Sequence, residues 1–135
     1  MADTMQFDLV TPERMLGSMA AESATIPGAE GDMTAYPQHM PLITTLRPGV
    51  VTATGADGAV DFVVSGGFAE IGPEGVSVLA ERAMPREEVT REFMAEILSA
   101  AEAFREEATG PQLDLANKTV ADILALSEAL GVPAS

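Results

Sequence analysis

Few residues in this chain are of a type that could do chemistry, and they do not cluster. His39 is the only histidine among 135 residues, and there is no cysteine. A metal site needs several N, S or O ligands at compatible spacing, so His39 reads as a loop or interface residue. General-base work would need a carboxylate brought to it across the fold. Glu30 and Asp32 flank Gly31 without the spacing of a calcium loop. They read as turn acids able to meet a basic partner. Ser65-Gly66-Gly67 follows a strand-like run, as a phosphate loop would. It lacks a lysine and leads into another strand-like run, so glycines at a bulge or tight bend fit better. No nucleophile, base and oxyanion hole can be assembled, and no catalytic residue, metal or cofactor is expected.

The stretch from Pro27 to Leu42 must position most of these groups. It holds three prolines and two glycines in sixteen residues. Proline presets φ and glycine accepts φ > 0, so Pro27-Gly28 and Glu30-Gly31-Asp32 favour turns. Met33 to Tyr36 is long enough for a short strand. Pro37 and Pro41 bracket Gln38, His39 and Met40, and neither can donate to a ladder. The segment is expected at a sheet edge or bend, as a stiff loop presenting Glu30, Asp32, His39 and Met40.

The first 84 residues hold ten of the twelve glycines and read as short strands. Met5, Phe7 and Leu9 alternate with Gln6 and Asp8, the pattern of a half-buried strand. Met15–Met19, Ala21–Ile26 and Leu42–Leu46 follow. Gly55-Ala56-Asp57-Gly58 and Gly72-Pro73-Glu74-Gly75 each sit between strand-like runs, Val50–Thr54 with Val60–Val64 and Phe68–Ile71 with Val76–Ala80. Both are hairpin signals. Eight or nine strands at this spacing predict an antiparallel β-sandwich or barrel.

From Pro85 the texture is helical. Residues 86–108 lack proline and glycine, and Pro85 suits a first helical position. Val89, Phe93, Ile97, Ala100 and Phe104 form one stripe, widened by Met94, Leu98 and Ala101. Glu87 and Arg91 are spaced as an i,i+4 pair. Gly110-Pro111 reads as a stop, and a second helix is expected from an N-cap near Asp114 to about Leu130, with Ala116, Val120, Ile123, Leu124 and Leu130 as its stripe. The short link predicts an antiparallel two-helix hairpin, less stable than the sandwich. The expected organisation is therefore a β-sandwich domain over 1–84 and a helical hairpin over 85–135.

The formal net charge is −14. Residues 1–84 carry three basic and eleven acidic side chains, and residues 85–135 four and ten. With no basic patch, nucleic acid and anionic lipid are poor partners. Met1-Ala2-Asp3-Thr4-Met5 has no basic n-region and no apolar h-region, and no run approaches the length of a membrane span. A soluble cytoplasmic protein without direct membrane insertion is expected. On residues alone it reads as a non-catalytic module for protein contacts.

Four segments resemble the ε subunit of bacterial F-type ATP synthases, called δ in mitochondria. Phe7-Asp8-Leu9-Val10-Thr11-Pro12-Glu13 looks like the family's first strand and turn. Gly28-Ala29-Glu30-Gly31-Asp32 with Tyr36-Pro37-Gln38-His39-Met40-Pro41-Leu42 looks like its Gly-x-Glu-Gly and Pro-x-His-x-Pro-Leu signature. Leu46-Arg47-Pro48-Gly49-Val50 matches the Pro-Gly that follows. Val64–Glu70 with Val76–Ala80 matches the last hairpin. The resemblance implies a central-stalk rotor subunit that couples proton-driven c-ring rotation to ATP synthesis. It would be peripheral, at the cytoplasmic face of the bacterial inner membrane. Its implied partners are the γ subunit and the c-ring, with the arm able to reach the catalytic α and β subunits. By position, Glu30, Gly31, Asp32 and His39 would face the c-ring, and His39, Met40, Leu42 and Thr44 the γ subunit.

The arm departs from the family. Several members carry Ile/Leu-Asp-x-x-Arg-Ala at the start of the first helix, where ATP binds. Here the run is Val89-Thr90-Arg91-Glu92-Phe93-Met94, without that acid or that arginine. Nucleotide binding is not expected, and Arg86 and Arg91 are weak substitutes. Some members brake ATP hydrolysis with basic residues of the second helix. This one has a single base, Lys118, against Asp114, Asp122 and Glu128, so inhibition is expected to be weak or absent. The alternative reading is a free-standing β-sandwich sensor of a nucleotide or metabolite.

Overall fold

In the computed structural model, residues 3–134 are described, and the chain divides into two compact units, one ending at Arg86 and one starting at Glu87. Met1 and Ala2, read above as part of a leaderless start, and Ser135 lie outside the described residues.

The first unit has ten strands: β1 (Met5–Val10), β2 (Met15–Ala21), β3 (Ser23–Gly28), β4 (Gly31–Ala35), β5 (Leu42–Leu46), β6 (Gly49–Gly55), β7 (Gly58–Val64), β8 (Gly67–Gly72), β9 (Gly75–Ala80) and β10 (Ala83–Pro85). They run β10-β7-β6-β3-β5-β8-β9-β1-β2, with β4 on the edge of β3. The link between β3 and β5 is one pair, Gly28 with Leu46. That narrow seam leaves two layers. Layer I is β4-β3-β6-β7-β10, and layer II is β5-β8-β9-β1-β2. Each buries one side chain in two: Phe7, Leu9, Ala69, Ile71, Val76 and Val78 from layer II meet Ala24, Ile26, Val51, Ala53, Phe62 and Val64 from layer I. The rings of Phe7 and Phe62 stack across the gap with centroids 6.3 Å apart. Opposite Phe62, Gly17 leaves room for the ring edge, since a Cβ there would sit 2.8 Å from its Cζ.

One pairing is not antiparallel. β1 enters between β9 and β2, parallel to β9, with Phe7 beside Val76 and Leu9 beside Val78. The expected antiparallel sandwich therefore contains one parallel ladder. The bend expected at Ser65-Gly66-Gly67 is the corner where the chain crosses from β7 in layer I to β8 in layer II. Gly66 and Gly67 have φ of 141° and 129°. The returning crossing from β9 to β10 lies alongside: Ser65 N–H donates to Arg82 O (2.9 Å), Glu81 N–H to Gly66 O (3.0 Å), and Arg82 N–H to Ser65 Oγ (3.1 Å).

Four expectations for the helical part are corrected. Pro85 does not open a helix. It ends β10, an edge strand where a missing N–H is tolerated, and pairs with Phe62. A 3-10 turn over Arg86–Glu88 follows, and α1 spans Arg91–Glu107. Its N-cap is Thr90, whose hydroxyl accepts the Phe93 N–H at 3.1 Å. With Glu87 in the turn and Arg91 opening the helix, the i,i+4 geometry is lost, and the two form no ion pair among the described residues. Next, Gly110-Pro111 starts a helix as well as separating two. Gly110 is the N-cap and Pro111 the first residue of α2 (Pro111–Leu130), so Asp114 falls in the first turn. Finally, the buried stripe is narrower than its periodicity suggested. Phe93, Met94, Ile97 and Leu98 of α1 and Ala116, Val120, Ile123 and Leu126 of α2 are buried, while Ala100, Phe104 and Leu124 are exposed. A two-helix hairpin has too few layers to cover a wide stripe. Gly131, in the left-handed region, closes α2 after Leu130, the expected end of the helix.

The two kinds of positive-φ glycine separate by test. Gly31→Ala meets nothing within 4 Å, so it carries only backbone strain, about 1 kcal/mol. A Cβ on Gly67 would lie 2.1 Å from the Leu79 carbonyl oxygen, so Gly67→Ala must also displace a ladder. Urea unfolding followed by the single tyrosine should show Gly67→Ala costing about 3 kcal/mol or more.

Candidate functional site

The Pro27–Leu42 stretch is not one loop. Gly28 pairs with Gly31, so Ala29-Glu30 forms a two-residue hairpin turn, and Ala24 pairs with Ala35 at the far end of β4. The Pro37–Pro41 loop then leads into β5, whose last residue returns to Gly28. Glu30, Gly31 and Asp32 therefore sit at one end of β4, and His39 and Met40 at the other. The five residues of β4, at about 3.3 Å each, stand between Glu30 and the Pro37–Pro41 loop.

The hairpin end is braced. Arg47 ion-pairs with Asp32 across the seam, Arg47 N–H donates to Pro27 O (3.0 Å), and Ala29 N–H donates to Thr45 O (2.9 Å). Asp32 is thus already engaged within the unit. Glu30 is exposed and makes no ion pair among the described residues. At the other end, Gln38 has φ of 67°, and His39 Nδ1 lies 2.7 Å from Met40 O. That turn holds Met40 out at 79% exposure, beside a half-buried His39. Among the described residues no three His, Cys, Asp or Glu side chains are grouped to hold a metal.

Layer II has an outer face that sequence reasoning did not find. Leu42 and Thr44, singled out above, pair with the buried Ile71 and Ala69, so they share the core-facing side of β5, where Leu42 at the strand's start is still 40% exposed and Thr44 is half-buried. Their neighbour Ile43 faces outward and is 68% exposed. Following the ladders outward, Thr45 lies beside Phe68, Phe68 beside Leu79, Leu79 beside Val10, and Val10 beside Met15. Phe68, Leu79 and Met15 are 42%, 39% and 58% exposed. At about 4.8 Å per strand, the row spans about 19 Å and is apolar on four of the five strands, with Thr45 as its member on β5. One step along the strands runs a polar row: Glu70, Ser77, Asp8 and Ser18. Gln6 Nε2 donates to Asp8 Oδ1 and to Ser18 Oγ (both 2.9 Å), and Ser18 Oγ donates to the same Asp8 oxygen (2.8 Å). The signal was present in the alternation of each strand, but the rows exist only once the registers are known.

The remaining candidates fall apart. Arg86 is held by Asp61 (3.3 Å), which also accepts from Thr52 Oγ1 (2.7 Å). Arg91 is exposed and belongs to the other unit. At the places where the resemblance calls for an acid and an arginine, Thr90 caps α1 and Phe93 is buried. No helix is long and apolar enough to cross a membrane.

Comparison with known proteins agrees with this architecture. The family model for the β-sandwich domain of the ATP synthase delta/epsilon chain matches residues 4–86. The ATP synthase epsilon chain of Jannaschia sp. (strain CCS1) is 50% identical over 127 residues, covering 94% of this chain and 96% of its own. That of Ruegeria sp. (strain TM1040) is 56% identical over 101 residues, covering 75% and 74%. Among solved structures, a chain in the cryo-EM structure of the Euglena gracilis mitochondrial ATP synthase, described as OSCP/F1/c-ring, superposes with a TM-score of 0.68 at 25% identity, covering 93% of this chain and 80% of that one. A chain of the Tetrahymena thermophila central stalk and c-ring shares the fold, with a TM-score of 0.63 at 15% identity over 95% and 97%. Strand order, hairpin and sequence thus converge, and the chain belongs to the ATP synthase epsilon-chain family.

Proposed function

We propose that this epsilon chain is a non-catalytic rotor element that binds the γ subunit and the c-ring and helps carry rotation to the catalytic α and β subunits. It would sit peripherally at the cytoplasmic face of the bacterial inner membrane. The observation that carries the reading is the apolar row across layer II. A row of exposed Phe, Leu and Met around a half-buried Val on a sheet is what a permanent protein interface needs, and a monomer gains nothing from it. We assign this face to the γ subunit, with Phe68 and Leu79 at its centre, Ile43 beside Glu70 on the end strand, and His39 and Met40 at its margin. Leu42 and Thr44 support it from the core side. The Ala29-Glu30 turn, stiffened by Arg47, is assigned to the c-ring, with Gly31 and Asp32 shaping it and Glu30 offering the charge.

The helical arm is dispensable for this anchoring in the proposal. Its acids outnumber its bases, which opposes insertion against an acidic surface.

Two experiments test the reading. Co-purification with the γ subunit of the same genome should survive removal of residues 87–135 and fail for Phe68→Asp, while the ATPase rate of the assembled enzyme should stay within about twofold on arm removal. Loss of γ binding on arm removal, or retention in Phe68→Asp, would overturn it. In the arm, Phe93→Arg puts back the missing cation at a buried site. It should lower the helical signal at 222 nm and give no calorimetric ATP binding, because burying an unpaired guanidinium costs several kcal/mol, about the stability of so small a unit.

A further inference from the structure

We infer that the polar row beside the apolar row, Asp8 with Glu70, selects the partner by charge: the docking segment carries a lysine or arginine flanking its apolar ridge. This rests on the assignment of the layer II face to the γ subunit and adds the chemistry of what that face must meet.

The five strands of layer II contain no lysine and no arginine. Their two acids, Asp8 and Glu70, both point outward and stand in the same row, separated only by Ser77 on β9. The nearest cation by chain, Arg14, lies in the β1–β2 turn beyond Val10 and Met15, on the other side of the apolar row from Asp8. Neither acid forms an ion pair among the described residues.

Asp8 is also fixed in place. Its Oδ1 accepts from both Gln6 and Ser18, and those two are bonded to each other, so three side chains form a closed triangle. The carboxylate is therefore oriented before any partner arrives, with Oδ2 not used in that triangle. A pre-oriented acceptor costs little ordering entropy on docking. Rows two residues apart along a strand are separated by about 7 Å, which sets the offset of the cation from the ridge. A partner whose flanking residue was acidic or apolar would strand a carboxylate against it as water leaves. Glu70 sits between Ile43 and Ser77 in the same row, and a second cation or a shared one would meet it there.

The test is the affinity of the full-length chain for the purified γ subunit of the same genome, titrated from about 50 to about 500 mM sodium chloride. Wild type should weaken about tenfold over that range, and Asp8→Asn about twofold, binding about tenfold less tightly than wild type at the low-salt end. Asn keeps the oxygen that accepts from Ser18 and Gln6, so the triangle and the fold should persist, as circular dichroism will show. Glu70→Gln, outside the triangle, should flatten the salt dependence in the same direction. Phe68→Ala should weaken binding by a similar factor at every salt concentration. If wild type, Asp8→Asn and Glu70→Gln share one salt profile while Phe68→Ala binds weakly, the charge selection is overturned and the docking face stands. If Phe68→Ala binds as wild type does, the docking face itself is overturned.

Discussion

The parallel pairing of β1 with β9 is the constraint on which both faces of layer II depend. Side chains alternate along a strand, so a slip of one residue would exchange every inward group for an outward one. In the observed register, Phe7 and Leu9 stand beside Val76 and Val78 in the core, and Asp8 and Val10 stand beside Ser77 and Leu79 outside. The core position of Phe7 is confirmed from across the gap by the stack on Phe62. Gly75 shows how closely the register is held. A Cβ there would lie 2.0 Å from the Gln6 carbonyl oxygen, so the two backbones meet where only glycine fits. Core packing and the proposed docking surface thus depend on one alignment.

A part that transmits rotation must not yield under load, and the unit is reinforced at the places where yielding would begin. Two of the crossings between layers, β7 to β8 and β9 to β10, are bonded to each other through Ser65, Gly66, Glu81 and Arg82. The narrow seam at Gly28 and Leu46 is bridged by Arg47 reaching to Asp32. An exposed ion pair of this kind contributes at most about 1 kcal/mol, so its value lies in fixing the turn's direction more than in stability. The Pro37–Pro41 loop has two residues with φ preset by the ring, which removes motion from the unfolded and folded chain alike.

Much of this was legible in the sequence because it is local. Gly55–Gly58 and Gly72–Gly75 announce their hairpins, alternation marks β1, and Gly131 closes α2. What escaped was of two kinds. Long-range pairing leaves no local mark, so neither the parallel β1–β9 ladder nor the rows it builds could be read in advance. Ambiguous punctuation misled: Pro85 is as suitable for an edge strand as for a first helical turn, and Gly110-Pro111 stops one helix while starting the next. Leu42 and Thr44 lie on the same strand as Ile43 but in the opposite phase. Leu46, buried at the strand's end, sets that phase, and counting back from it by twos puts both residues inward and Ile43 outward. Glu30 and Asp32 were legible as turn acids, but that β4 would hold them apart from His39 depends on pairing with β3 over its whole length.

The acid row also bears on what this face must avoid. An exposed apolar row on a flat sheet invites a second copy of the same chain, and edge or face association is a hazard for any β protein before assembly. Asp8 and Glu70 would oppose that pairing. Two copies meeting face to face bring acids toward acids with no cation on either sheet to neutralise them, and the formal charge of −14 adds repulsion at longer range. The same carboxylates become favourable once a basic flank faces them. Attraction to one partner and resistance to self-association then follow from a single pair of charges placed one step from the apolar row, with no separate device for either.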